Sequence, residues 1–274
     1  MILALWRALR GFAAHRGLFM AAGLSFYLLI CLIPMLFLVV SALGFVLTSE
    51  AATQAVLSQL AQIIPVYRRE VSDALARIIA TRNLSGLLGT AILLLFSTQL
   101  FGSLRQVMNE IFAVRRGRGF FRGMLYDVLM LFVMGALFLA SIGIMDLFFW
   151  LRAFVLTPFL VPRQWIRWMS VALALGLNAG LFFVAYRYFP SRKVPAGAAL
   201  AGALLAAVLW EIAKQLFRWY ILAVGVYDQI YGPLGVLVAL AMFAYYTGIV
   251  LLLGAEYAAA LEAWRRSRRQ GRLG

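Results

Sequence analysis

Residues 124–150 read MLYDVLMLFVMGALFLASIGIMDLFFW, Met124 to Trp150, with Asp127 in its first turn and one further acid, Asp146, near the far end. A helix that crosses the ~30 Å hydrocarbon core of a bilayer needs about 20 mostly apolar residues. Only a helix or a closed barrel satisfies every backbone N–H and C=O where no water reaches. This run therefore reads as a spanning helix. Five more runs meet the same test: about Ala21–Leu47, Leu84–Leu104, Met169–Phe189, Gly197–Leu222 and Leu234–Tyr257. The expectation is an all-α polytopic membrane protein, one transmembrane domain over 1–274 with about six spans.

The composition agrees. The chain is 65% hydrophobic and 13% charged, with a mean hydropathy of +0.93. A soluble domain runs near ~45–50% apolar and ~25% charged, and one soluble core cannot hide the excess. Lys and Arg number 25 against 10 Asp and Glu, a net charge of +15. Their placement at span ends assigns them to topology and to anionic headgroups rather than to nucleic acid. One set of flanks holds Arg7, Arg10 and Arg16, then Arg105, Arg115, Arg116, Arg118 and Arg122, then Arg187, Arg192 and Lys193, then Arg265, Arg266, Arg268, Arg269 and Arg272. The other holds Arg68, Arg69, Arg77 and Arg82, then Arg152, Arg163 and Arg167. The bias of 16 to 7 predicts an inner-membrane protein with both termini in the cytoplasm.

The N-terminal stretch shows no small-residue cleavage site after a short apolar region, so Ala21–Leu47 reads as a retained span. Cys31 is the one cysteine and His15 the one histidine, which leaves no basis for an intrachain disulfide or a Cys-based metal cluster. No metal or cofactor is expected. Thr48–Asn83 is the largest piece outside the spans. Val56, Leu60, Ile63 and Ile64 recur at helical spacing, as do Val71, Leu75, Ile78 and Ile79 after Pro65. This predicts two short amphipathic helices broken at Pro65 on the extracytoplasmic side. The loop Val114–Gly123, VRRGRGFFRG, is basic and glycine-rich and suits anionic headgroups at the cytoplasmic face.

Charge within a span is costly and marks function by default. The fifth span carries Glu211, Lys214, Gln215 and Arg218. At 100° per residue, Lys214 falls about −60°, Gln215 about +40° and Arg218 about −20° from Glu211, so all four share one face, with Ile212 and Phe217 pointing elsewhere. Glu211 is placed to pair with Lys214 or to accept from Gln215. Arg218 is then surplus, with Asp228, Glu256 and Asp146 as candidate partners. The second span carries Gln99, Ser103, Gln106 and Glu110 on one face, with Asn109 beside it. Asn178 lies deep in the fourth span. The first span holds Ser25 and Tyr27, then Pro34, which predicts a kink. Gly197, Ala198, Ala199, Ala201, Gly202, Ala203, Ala206 and Ala207 predict close helix packing. Gly225–Gly235, with Asp228 and Tyr231, reads as a Gly/Pro-rich aromatic loop that re-enters the outer half of the bundle. The candidate binding residues are Glu211, Lys214, Gln215, Arg218, Asn178, Gln99, Asn109, Glu110, Tyr27, Asp228 and Tyr231; none is assigned a catalytic role.

Four stretches together resemble the YihY/BrkB family of bacterial inner-membrane proteins, once labelled ribonuclease BN. They are Ala21–Tyr27 with Pro34; Gln99–Gln106 leading to Asn109-Glu110-Ile111-Phe112; Gly202–Tyr220 with Trp210-Glu211 and Lys214-Gln215; and Tyr227–Gly235 followed by Leu253-Gly254-Ala255-Glu256. The resemblance covers about Arg16 to Leu261. It implies an all-α six-span fold with an extracytoplasmic helical segment, and ties to serum resistance and envelope lipid traffic. The ribonuclease label is widely regarded as an error. The residues agree: RNA hydrolysis needs positioned acids and bases or a carboxylate-bound metal, and Glu110, Asp127, Glu256 and Glu262 are scattered. The expected function is transport or translocation of an anionic or lipid-like envelope molecule, with a membrane scaffold as the alternative and a ribonuclease as the third. The expected partners are membrane lipids, especially anionic headgroups, with room for a homo-oligomer and no nucleic acid.

Overall fold

A computed structural model describes residues 2–46, 82–114, 117, 119–156, 162–223 and 233–270. Their regular structure is helical throughout: α1 Ile2–Ala14, α2 Gly17–Val46, α3 Arg82–Ile111, α4 Phe120–Leu151 ending in a π-helical turn Arg152–Leu156, α5 Arg163–Tyr188, α6 Ala196–Ala223 and α7 Pro233–Gln270. Five helices, α3 to α7, are long and apolar enough to cross a membrane. The pair α1–α2, bent by 70° at its break, is a sixth candidate. The protein is thus an all-α polytopic membrane protein. The amphipathic segment expected at Thr48–Asn83 lies outside the described residues, apart from Arg82 and Asn83, which open α3. Asp228 and Tyr231 lie outside them too.

One local feature departs from the sequence reading. Residues 2–14, read only as a basic flank, form a helix. Just past its end Arg16, held at φ 52°, lets the chain turn sharply into α2. Through Pro34, α2 continues as one helix.

Consecutive spans are neighbours from α2 to α7, and α7 packs back on α2, so the six helices close a circle whose thinnest seam is α4 against α5. Short connections favour antiparallel neighbours, which puts α1, the α3–α4 turn, the α5–α6 turn and the C-terminal part of α7 at one end. The core sits at that end. Met108, Phe112, Tyr186, Phe189, Val194 and Leu252 are buried there, with the small residues Ala198, Ala199, Ala203, Ala206, Ala255 and Ala258. Phe101 stacks on Phe189 at 5.4 Å between centroids, and Phe182 on Tyr186 at 6.0 Å. The small-residue face of α6 does what its composition predicts. Gly202 backs onto the Gly254 carbonyl and the Ala258 methyl, so close that a Cβ on Gly202 would collide with both. Without a hydrophobic driving force between helices in lipid, such backbone approach is a main source of attraction.

Large apolar side chains are exposed at the packed end, as Phe19, Phe121 and Leu125 are, and toward the other end. Leu139, Leu147, Leu216 and Trp219 are each at least 60% exposed. Trp150, Trp165, Trp168 and Trp219 form an exposed aromatic belt there, with Trp6 and Tyr188 at the packed end. Such belts mark the two bilayer interfaces. The buried core seals one end of the bundle.

Candidate functional site

The charged face of α6 starts about 22 Å along the helix, since Glu211 follows Ala196 by 15 residues at about 1.5 Å each. That is past the middle of a ~30 Å core, on the side away from the sealed end. Lys214 Nζ lies 2.7 Å from Glu211 Oε2, one turn away as the spacing predicts. The ammonium approaches at an angle poor for hydrogen bonding, and that carboxylate oxygen, buried from solvent, has no hydrogen-bond donor among the described residues. Gln215 and Arg218 are exposed. Among the described residues Arg218 has no ion-pair partner; of the acids proposed for it, Glu256 is committed to His15 and Asp146 is exposed.

A groove of about 520 Å³ opens sideways beside this face, lined by Leu175 of α5 and by Val208, Glu211, Ile212, Gln215, Leu216 and Trp219 of α6. The groove adjoins one side of that face. The lining residues lie about 40° to 140° round from Glu211 on the helix, whereas Lys214 and Arg218 lie on its other flank. Ile212, expected to point away, shares the groove with the carboxylate. The groove surface is thus almost wholly apolar, with Glu211 and Gln215 at its border and the two cations beside it rather than in it. The packing of α5 through Leu175 fixes where the cleft falls, which the periodicity of α6 alone could not show.

The other predicted residues do not line this groove. Tyr27 is half-buried, its ring 5.9 Å from that of Phe26. Asn178 is half-buried in α5, and Gln99 and Glu110 are exposed on α3. Asn109 belongs to the sealed end. Its amide donates to Ser191 Oγ at 3.0 Å, and its Oδ1 accepts from the Ser191 backbone N–H at 2.7 Å.

That sealed end holds a polar lock that sequence reasoning missed. Arg105 of α3 donates through Nε and Nη2 to both oxygens of Asp127 in α4, at 2.7 and 3.0 Å. Arg192, between α5 and α6, donates to both oxygens of Glu262 in α7 at 2.7 Å each. Its Nε also donates to the Phe112 carbonyl at 3.1 Å. Arg266 adds a bond of 2.6 Å to Glu262. His15 Nδ1 meets Glu256 at 2.6 Å, tying the α1–α2 turn to α7. Tyr126 and Tyr186 donate to the carbonyls of Tyr188 and Leu251 at 2.6 and 2.8 Å. Asp127, Glu256 and Glu262 are only 3–5% exposed, and buried carboxylates of this kind need such partners to stay charged. Bidentate guanidinium forks are the strong form of that pairing. Three of the four acids that a nuclease reading would use are therefore already engaged. Among the described residues, no three His, Cys, Asp or Glu side chains gather as metal ligands would.

Comparison with known proteins gives a concordant result. The chain is 28% identical over 257 residues to a UPF0761 membrane protein of Chlorobium chlorochromatii (strain CaD3), covering 92% of this chain and 58% of the relative. It is 29% identical over 259 residues to one of Chlorobium phaeobacteroides (strain BS1), covering 94% and 60%. It is 29% identical over 253 residues to one of Vibrio vulnificus (strain YJ016), covering 89% and 79%. The chain thus spans little more than half the length of the Chlorobium relatives. No solved structure matches it. The family model described as virulence factor BrkB matches residues 8–273, which include the α6 face, the groove and every ion pair of the lock, and the chain belongs to that family of membrane proteins.

Proposed function

We propose that this protein is a transporter or translocase for an amphipathic, anionic or lipid-like molecule of the bacterial envelope. It would sit in the inner membrane with its sealed end in the cytoplasm. The carrying observation is the apolar groove between α5 and α6 that Glu211 borders, with Lys214 and Arg218 on the adjoining flank of the same helix. An amphipath needs that combination: its chains stay against apolar side chains while its headgroup meets charge at depth. Lys214 and Arg218, beside the groove, would draw an anionic group, and Glu211 would hold Lys214 in place. The 16-to-7 bias of Lys and Arg supports the orientation.

The test is reconstitution into vesicles with a fluorescent phosphatidylglycerol and measurement of its movement between leaflets. Lys214→Ala and Arg218→Ala are expected to abolish movement while the melting temperature in detergent holds. Unchanged movement in both would overturn the proposal. The scaffold reading has support of its own, since the lock ties α1, α3, α4, α5 and α7 together. It predicts no lipid movement by the unaltered protein, and a lower melting temperature for Lys214→Ala.

A further inference from the structure

We infer that α1 is an in-plane helix that binds the headgroup layer of one leaflet, and that Arg7 and Arg10 select anionic lipid there. This stands apart from the transport proposal. The helix has three distinct sides. Taking Ala8 as zero, Ala4 and Gly11 fall about −40° and −60° from it, forming a narrow small-residue side. That side packs down: Ala4 and Ala8 are 7% and 1% exposed and cluster with Tyr257, Ala260 and Leu261 of α7 and with Ala201 and Leu205 of α6. Leu5, Leu9 and Trp6 fall about +60° to +160° and are 44%, 46% and 55% exposed. Arg7 and Arg10 fall about −100° and −160° on the opposite flank, and both are exposed. With the small side against the bundle, Leu5 and Leu9 lie to one side of the helix and Arg7 to the other, while Trp6 and Arg10, about 40° apart, face away from the bundle.

Orientation and depth identify what those flanks meet. The axis of α1 turns 70° from that of α2. If α2 runs along the membrane normal, α1 lies about 20° from the membrane plane. It rests on α6 at Ala201 and Leu205, which at about 1.5 Å per residue is roughly 8–14 Å in from the start of that helix. An in-plane amphipathic helix sits about 5–10 Å into the headgroup–acyl boundary. The surface around it is lipid-facing: Leu200 and Leu204 of α6 and Leu18 and Phe19 of α2 are 48–80% exposed. The Arg10 guanidinium stacks over the Trp6 indole at 5.0 Å, which places a cation and an interfacial aromatic side by side. Leu5, Leu9 and Trp6 then dip into acyl chains while Arg7 and Arg10 meet lipid phosphates. A polar partner protein would leave the apolar flank in water, and a spanning role would need a helix longer than 13 residues.

The test uses the full chain in vesicles of phosphatidylcholine with one quarter phosphatidylglycerol. Spin labels go at positions 5, 7, 9 and 10 in a Cys31→Ser background. Positions 5 and 9 are expected to be open to oxygen and shielded from a water-soluble nickel relaxant, with the reverse at 7 and 10. Nickel access at 5 and 9, or depth that increases steadily from 5 to 10, would overturn the in-plane placement. Should Cys31→Ser fail to fold, brominated lipid quenching of Trp6, taken as the difference from Trp6→Phe in the native background, reads the same depth. Trp6 should be quenched more by brominated phosphatidylglycerol than by brominated phosphatidylcholine at equal mole fraction. Arg7→Gln with Arg10→Gln should erase that preference. Equal quenching by the two lipids in the unaltered protein, or a preference that survives both substitutions, would overturn the anionic selectivity.

Discussion

The ion pair between Arg105 and Asp127 is the most enclosed link of the lock, and its surroundings make a two-part prediction. The side chains are 13% and 5% exposed, and both carboxylate oxygens are engaged. Gly123, in the first turns of α4, lies against the guanidinium: a Cβ there would stand 2.8 Å from Nη2, 3.0 Å from Cζ and 3.1 Å from Nη1. Asp127→Asn keeps the shape but removes the charge and one strong acceptor. Breaking a buried pair from one side costs about 3–5 kcal/mol. Arg105 keeps some access to the headgroup region and the amide keeps one acceptor, so about 2 kcal/mol is expected. Gly123→Ala must push the guanidinium aside while Asp127 pins it, at about 1–2 kcal/mol, offset by up to about 1 kcal/mol of helix propensity. It should therefore be neutral to mildly destabilising in the native background.

Once Asp127 is Asn, the guanidinium is free to move and only the propensity gain remains. Gly123→Ala should then stabilise, giving a coupling of about 1 kcal/mol or more between two positions that share one partner. Titration of purified protein with a denaturing detergent, followed by tryptophan fluorescence, reads all four corners of the cycle. If Asp127→Asn costs less than about 0.5 kcal/mol, the pair behaves as a surface contact and the claim of a buried lock fails. If Gly123→Ala has the same effect in both backgrounds, Arg105 is not what occupies the space beside it.

Ala113 sits at φ 50°, two residues past the end of α3, where the Val114 N–H donates to the Asn109 carbonyl at 2.8 Å and the Ala113 N–H to that of Glu110 at 3.0 Å. This is the closing motif in which glycine avoids the left-handed penalty, so Ala113→Gly should stabilise by about 0.5–1 kcal/mol, read as a higher melting temperature. Arg192→Lys keeps the charge but loses the fork that grips Glu262 and the bond to the Phe112 carbonyl. Membrane insertion and orientation should be unchanged by reporter fusion, with stability lower by about 2 kcal/mol. Gly202→Leu forces a branched side chain between α6 and α7 where even a methyl collides, and should cost at least about 3 kcal/mol or abolish the monodisperse peak on size exclusion.

The membrane architecture was legible because its signal is local. A run such as Met124–Trp150 contains its own evidence, and the same holds for the angular position of Glu211, Lys214, Gln215 and Arg218 on α6. Helical periodicity links residues three or four apart, and the Glu211–Lys214 pair falls within that reach. The groove did not, since Leu175 comes from another helix and decides which part of the α6 surface is open. The short helix α1 was hidden by its own length: 13 residues with two arginines give too little periodic signal to stand out from a basic flank.

The lock was out of reach for a further reason. Its partners lie 22, 70, 82 and 241 residues apart, and nothing in one sequence matches a particular arginine to a particular acid across such gaps. Arg105, Arg192 and Arg266 were visible only as members of the positive flanks. That assignment says nothing of pairing, and a guanidinium can serve two physical demands. The orientation rule asks for cations at the ends of spans on one side. The sealed end asks for fork-shaped donors to hold Asp127 and Glu262 as charged groups in a nearly dry setting. Lysine meets the first demand and not the second. Of the 25 basic residues 23 are arginine, with Lys193 and Lys214 the two exceptions. Arginine at the lock positions is what a bundle closed by ionic forks requires, whereas a charge count treats the two residues alike.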